Sequence, residues 1–173
     1  MVNIMPELKK LLLNPSAYNK RTMEDIKRYI YIYKDKFEIN VLLNELDSEI
    51  VEKEGYNLVK NVTSYGDYLK YTSDYVIDAG SLKSYFRRSS KNTWVSIWHG
   101  IPYKKMFIDF DEKSLNDGLE YAESYDIMIS MSPYYTETFL RNSMLYSGEV
   151  KEIGSAKIDK LFASEEEILL AVQ

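Results

Sequence analysis

An α/β fold, a parallel sheet with helices on both faces, is what the order of hydrophobic periods along this chain predicts. From Thr22 onward, apolar residues at helical spacing alternate with short, compact apolar runs of strand length. Those runs are apolar for the most part, too much so for the strands they form to carry a wet face, as in a buried parallel sheet. No repeat or low-complexity linker breaks the 173 residues, and 45% hydrophobic with 28% charged residues suits one Rossmann-like domain, residues 1–173, with a real core.

The elements follow in order. Met23, Ile26, Ile30 and Tyr33 recur at helical spacing, and residues 37–43 form the first strand. Asp47 is placed to cap a short helix that Gly55 closes, and residues 57–62 are the second strand. The unit then repeats as a short helix over 65–72, a strand over 75–79, a helix over 81–89 and a strand over 93–98. Ser114 with Asp117 three residues on resembles a capping box and predicts a helix to about Tyr125. A strand over 126–131 leads into Ser132-Pro133, a strong helix start, because the serine can accept from first-turn amides and proline has no amide hydrogen to lose. That helix runs to about Met144, a last strand spans 150–153 before Gly154, and Ser164 with Glu167 opens a terminal helix to Val172. The stretch 1–14 is assigned to no element; with Glu7, Lys9 and Lys10 it lacks the apolar core and cleavage site of a secretory signal.

In such sheets ligands gather beyond the carboxyl ends of the strands, near the point where strand order reverses. Function is therefore expected just after Ala79, Trp98, Met131 and Ile153.

Composition narrows the chemistry. A net charge of -5 gives no global field for nucleic acid, and the absence of cysteine removes disulfides, thiolate metal sites and thiol nucleophiles. No apolar run approaches the roughly 18 to 20 residues that cross a bilayer, so the expected location is cytoplasmic, with at most a peripheral contact on the inner face of the cell membrane. Lys83, Arg87, Arg88 and Lys91 make one side of a predicted helix basic, which reads first as a solvated face and second as a landing patch for polyphosphate or anionic lipid. Asp109, Asp111 and Glu112 read as helix-entry charges rather than metal ligands, and neither a Gly-x-Gly-x-x-Gly nor a Walker pattern occurs. No metal and no cofactor are expected. Tyrosine occurs 16 times, a bias that suits half-buried positions where the ring packs and the hydroxyl finds a partner.

The richest segment is Trp94-Val95-Ser96-Ile97-Trp98-His99-Gly100-Ile101-Pro102-Tyr103-Lys104-Lys105, which holds both tryptophans and the only histidine. Imidazole suits proton transfer near neutral pH, a lysine pair can hold phosphate oxygens as point charges, and Gly100 permits a tight turn at the strand end. Spacing alone leaves open that His99 is an ordinary loop histidine bonded to a backbone carbonyl, with the tryptophans as core.

The run Trp98-His99-Gly100-Ile101-Pro102-Tyr103-Lys104-Lys105-Met106 resembles the Trp-His-Gly-x-Pro-x-Lys-Lys-Met signature of the CDP-glycerol glycerophosphotransferase family, which primes or polymerises teichoic acids. Residues 125–132 resemble that family's strand ending in serine, and residues 153–161 resemble its Gly-x-Pro-Arg-x-Asp segment, with Ala156 for proline and Lys157 for arginine. Lysine offers no bidentate fork, so an oxygen clamp there would be weaker. The resemblance implies the N-terminal, acceptor-side half of a GT-B glycosyltransferase fold, with the CDP-glycerol site largely in a second domain not contained in these residues. It implies transfer of glycerol phosphate from CDP-glycerol to a lipid-linked polyol-phosphate or glycan acceptor, with release of CMP. His99 is then the catalytic base, Gly100 and Pro102 shape the loop, and Lys104 and Lys105 hold phosphate charge. Ser130, Ser132, Gly154, Lys157 and Asp159 are further substrate-binding candidates. A non-catalytic acceptor-binding module and half of a nucleotide-sugar glycosyltransferase are the alternatives.

Overall fold

The computed structural model of the chain describes residues 8–14, 33–79, 91–98 and 100–155. Among these, the strands are β1 (Lys9–Asn14), β2 (Phe37–Leu43), β3 (Ile50–Lys53), β4 (Tyr56–Lys60), β5 (Tyr75–Asp78), β6 (Thr93–Ser96), β7 (Ile127–Ser130) and β8 (Glu149–Glu152). They form one sheet in the order β3-β4-β2-β1-β5-β6-β7-β8. Every pairing is parallel except β3 with β4. Setting β3 aside and numbering the parallel strands along the chain, the order reads 3-2-1-4-5-6-7. This is a doubly wound Rossmann arrangement whose order reverses between β1 and β5.

Register follows from two apolar rows. Leu12, Leu42, Val59, Val76, Trp94 and Met128 point to one face and pack with Leu69, Ala122, Phe139 and Leu140 of the described helices. Leu13, Ile39 and Val41 gather on the other face with Leu11, Phe37, Tyr56, Leu58 and Ile77. Because side chains alternate along a strand, a one-residue slip would exchange these rows, so burial fixes the pairing. Full burial of one such aliphatic side chain is worth roughly 1.5–3 kcal/mol.

Helix α1 (Ser64–Thr72) is capped by Thr63, whose hydroxyl accepts from the Gly66 amide. Helix α2 (Glu112–Glu123) starts on Asp111 rather than Ser114: the Asp111 carboxylate accepts from the Ser114 amide at 2.7 Å. The Ser114 hydroxyl is then free to accept from the Phe107 amide at 2.9 Å. Helix α3 begins as expected, with Ser132 capping and Pro133 in the first turn, spans Pro133–Tyr135, and continues as a π-helix over Thr136–Ser143. Its wide end is closed by the Met144 amide donating to the Phe139 carbonyl and by Arg141 reaching the Tyr146 and Gly148 carbonyls.

Two sequence expectations change. No helix forms between Asp47 and Gly55; Ile50–Lys53 is strand β3, and Gly55 at φ 82 closes a two-residue turn into β4. A left-handed glycine serves a hairpin as readily as a helix end, and the β-branched Ile50 and Val51 favour the strand. Lys9–Asn14, left unassigned, is the central strand β1, carried by the three leucines at 11–13. The helices expected over 81–89 and 164–172 lie outside the described residues, as does all but Tyr33 of the one expected through Met23, Ile26, Ile30 and Tyr33.

Candidate functional site

Three polar residues end neighbouring strands at the switch point. Asn14, Asp78 and Ser96 close β1, β5 and β6, stand directly opposite one another in register, and are all buried on the face that α2 covers. The Asn14 amide donates to one Asp78 carboxylate oxygen at 2.7 Å, and the Tyr125 hydroxyl donates to the other. Ser96 Oγ and the Tyr121 hydroxyl lie 2.6 Å apart. Burial, followed by the negative charge of Asp78, pushes the Tyr121 phenol well above its usual range. Burial, then Tyr121 and Asp78, does the same to Tyr125. Both phenols therefore remain neutral and able to donate hydrogen bonds.

Beyond Ser96 the chain leaves the sheet through Ile97 and Trp98. Trp98 has left-handed backbone at φ 49, uncommon for a bulky side chain. Its indole is held by Tyr121 (ring centroids 5.0 Å apart), Phe139 (5.4 Å) and Phe107 (6.2 Å). Phe107 is buried and also left-handed, at φ 54. The Trp98 and Phe107 rings, edge-to-face, join the two ends of the 98–107 segment. Between them the chain is exposed: Ile101 and Tyr103 are 71% and 88% accessible, Lys104 and Lys105 face solvent, and Lys104 Nζ sits 5.6 Å from the Tyr103 ring centre. Gly100 adopts φ 159 in open space, with nothing within 4 Å of where a Cβ would stand, and Pro102 is half-buried. His99 lies outside the described residues, between Trp98 and Gly100.

A second polar group forms at the carboxyl ends of β7 and β8. Buried Ser130 accepts at its carbonyl from the Gly154 amide at 3.1 Å, and its hydroxyl donates to the Ser132 carbonyl at 2.8 Å. Thr136 Oγ1 lies 2.8 Å from Ser130 Oγ and 2.6 Å from Glu152 Oε1. The expected residues thus fall in two sets on the same sheet edge: Gly100, Pro102, Lys104 and Lys105 in the loop after β6, and Ser130, Ser132 and Gly154 after β7 and β8. Lys157 and Asp159 lie outside the described residues. Sequence reading missed Asn14, Asp78, Ser96, Tyr121, Tyr125, Thr136 and Glu152. The available signal was a polar residue closing each apolar strand, as Asp78 does after Tyr75, Val76 and Ile77.

Among the described residues no group of three His, Asp or Glu side chains could hold a metal ion, and no helix is long and apolar enough to cross a membrane.

Residues 4–172 match the model of the family described as CDP-Glycerol:Poly(glycerophosphate) glycerophosphotransferase. The chain belongs to that family. Among the chain's relatives, the teichoic acid poly(glycerol phosphate) polymerase of Bacillus spizizenii is 23% identical over 175 residues, covering 93% of this chain and 44% of its own length. The chain therefore spans less than half of that relative. The solved structure of the wall teichoic acid polymerase TagF superposes with a TM-score of 0.74 at 20% identity, over 89% of this chain and 40% of that one. A TagF variant soaked with CDPG gives 0.73 at 19% identity, over 88% and 41%. A sucrose-phosphate synthase structure from Thermosynechococcus elongatus gives 0.54 at 12% identity, over 95% of this chain and 94% of that one. At these identities the structural likeness speaks for the fold alone: the doubly wound sheet of a GT-B-like domain.

Proposed function

We propose that the glycerophosphotransferase domain described above supplies the acceptor-side half of an enzyme that moves glycerol phosphate from CDP-glycerol to a hydroxyl of a lipid-linked polymer acceptor. The observation that carries the reading is the family match over 4–172, together with the family-like loop that follows β6 beside the switch point. His99 accepts the acceptor's hydroxyl proton. The freed oxygen forms a bond to the β-phosphorus of CDP-glycerol, the bond from that phosphorus to the bridging oxygen breaks, and CMP leaves with the bridging oxygen and the electron pair. Lys104 and Lys105, held in an exposed loop with anchored ends, meet the charge that develops on the phosphoryl oxygens. Gly100 and Pro102 shape that loop, and Ser130, Ser132, Gly154, Lys157 and Asp159 contact substrate. CDP-glycerol itself binds largely through a second domain, in keeping with the 44% of the polymerase that this chain spans. Contact with the inner membrane surface is peripheral.

The test is release of CMP from CDP-glycerol by the protein, supplied where needed with the remaining half of a relative, in the presence of a lipid-linked glycerol-phosphate acceptor. His99→Ala should lower the rate by about 100-fold or more. A His99→Ala rate close to wild type removes the imidazole from the chemistry. Acceptor binding without CMP release, even when the second half is present, favours instead a non-catalytic acceptor-binding module, the reading to which Lys157 in place of the family's arginine lends weight.

A further inference from the structure

One stripe of helix α2 meets the 98–107 loop at each of its fixed points. Ser114, Gly118, Tyr121 and Ala122 of α2 recur at helical spacing and so share a face, and Tyr125 follows just past the end of the helix. Ser114 Oγ accepts from the Phe107 amide at 2.9 Å. Gly118 lies beneath the Phe107 ring, so close that an added Cβ would stand 2.3 Å from ring carbon Cδ1. Tyr121 places its ring edge-to-face on Trp98 and its hydroxyl 2.6 Å from Ser96 Oγ, the atom to which the Trp98 amide itself points at 3.4 Å. Tyr125 packs its ring tilted against that of Tyr121, centroids 4.6 Å apart, and donates its hydroxyl to Asp78 at the end of β5.

We infer that this face of α2 is the positioning element of the loop, and that Tyr121 is its positioning residue. Two large aromatic residues in left-handed backbone are costly, on the order of 1–3 kcal/mol each, and persist only where the surroundings over-determine them. Tyr121 supplies that constraint at Trp98 from two directions, through the ring and through the hydroxyl. Ser114 and Gly118 supply it at Phe107, one by a hydrogen bond and one by leaving room. The described residues between the two aromatics, 100–106, with both loop lysines among them, are then offered in one arrangement although most of them touch solvent. Orientation of this kind matters to catalysis because a displacement of about 1 Å can cost roughly 100-fold in rate.

The test removes one hydroxyl. Tyr121→Phe keeps the ring and breaks the link to Ser96; Ser96→Ala breaks the same link from the other side and carries the test if Tyr121→Phe does not fold. Each is read by the amide resonances of Trp98, Gly100 and Lys104, by the Trp98 indole resonance assigned with Trp94→Phe, and by CMP release. Val59→Ala, in β4, separated from β6 by three strands of the sheet, controls for general loss of stability. Both hydroxyl variants should shift the Trp98 and Gly100 resonances. The double variant should shift them no further than either single. In the transfer assay kcat should fall about 10-fold or more while KM changes little. Val59→Ala should lower the unfolding temperature and leave all of these unchanged. Unmoved Trp98 and Gly100 resonances in folded Tyr121→Phe and Ser96→Ala would overturn the inference. The kinetic arm rests on the proposed transfer reaction, whereas the resonances do not: wild-type protein without CMP release defeats that function and still leaves the positioning role decided.

Discussion

Gly118→Ala sets two opposing effects of known size against each other. Alanine is the better helix former, so in the middle of α2 the replacement should stabilise by about 1 kcal/mol if nothing else changed. The new Cβ, however, would stand 2.3 Å from Phe107 Cδ1, 2.8 Å from Cγ and 3.0 Å from Cε1, all within touching distance of one rigid ring. That ring cannot retreat into space, because it packs on Phe139 at 5.6 Å and on Trp98 at 6.2 Å. Nor can it pivot freely, since φ 54 sets the direction of its Cβ and Ser114 holds its amide. Overpacking of this kind costs about 1–3 kcal/mol, and partial loss of an aromatic pair adds about 0.5–1.5 kcal/mol. Steric cost therefore exceeds helix propensity, and a net loss of roughly 1–3 kcal/mol is expected, or about 2–12 °C in unfolding temperature for a chain of this size. Calorimetry or a circular dichroism melt reads it directly. Adding Phe107→Leu to Gly118→Ala should recover part of the loss by giving the methyl group room. A Gly118→Ala protein that melts at or above the wild-type temperature would refute the account of how Phe107 is seated.

Asp111→Ala removes the carboxylate that caps α2 and should cost about 1 kcal/mol, read as a lowered denaturant midpoint at unchanged slope. Stability should fall as pH rises above about 10, where tyrosines of the unfolded chain ionise while Tyr121, Tyr125 and Tyr135, their phenols raised chiefly by burial, stay protonated in the folded state. Each such group steepens the fall by up to about 1.4 kcal/mol per pH unit, so Tyr135→Phe should flatten the alkaline side of a denaturation profile, and an unchanged profile would speak against buried phenols. In the proposed transfer reaction, Lys104→Ala with Lys105→Ala should lower kcat and kcat/KM together by about 10-fold or more and weaken their dependence on ionic strength, measured by initial rates across a salt series.

How far the sequence spoke for the structure differs from element to element, for physical reasons. The strands at 37–43, 75–78 and 127–130 were legible because they are mostly apolar, rich in β-branched residues and nowhere exposed. β1 was not, because its signal is only three leucines behind two lysines, and its central place depends on β2 and β5, which arrive later in the chain. The β3 hairpin was misread because Gly55 in left-handed backbone suits two different structures, and local sequence cannot choose between them. At the candidate site, the 98–106 motif and Ser132-Pro133 stood out through residue type. Tyr121, Tyr125, Asp78 and Asn14 did not, since contacts spanning up to 64 residues leave no periodic trace. Thr136 and Glu152 were hidden in the same way, joined across 16 residues only by the pairing of β7 with β8.

An open sheet has two rims, and among the described residues both are short strands that carry solvent-exposed charge. β3 offers Glu52 and Lys53 to solvent, and β8 offers Glu149, Lys151 and Glu152, with Lys151 and Glu149 paired at 2.6 Å. A second chain adding itself to either rim would have to strip water from these groups, a penalty that discourages growth into fibrils. Glu152→Val with Lys151→Val should therefore leave the fold standing while making concentrated solutions of the protein cloud on storage.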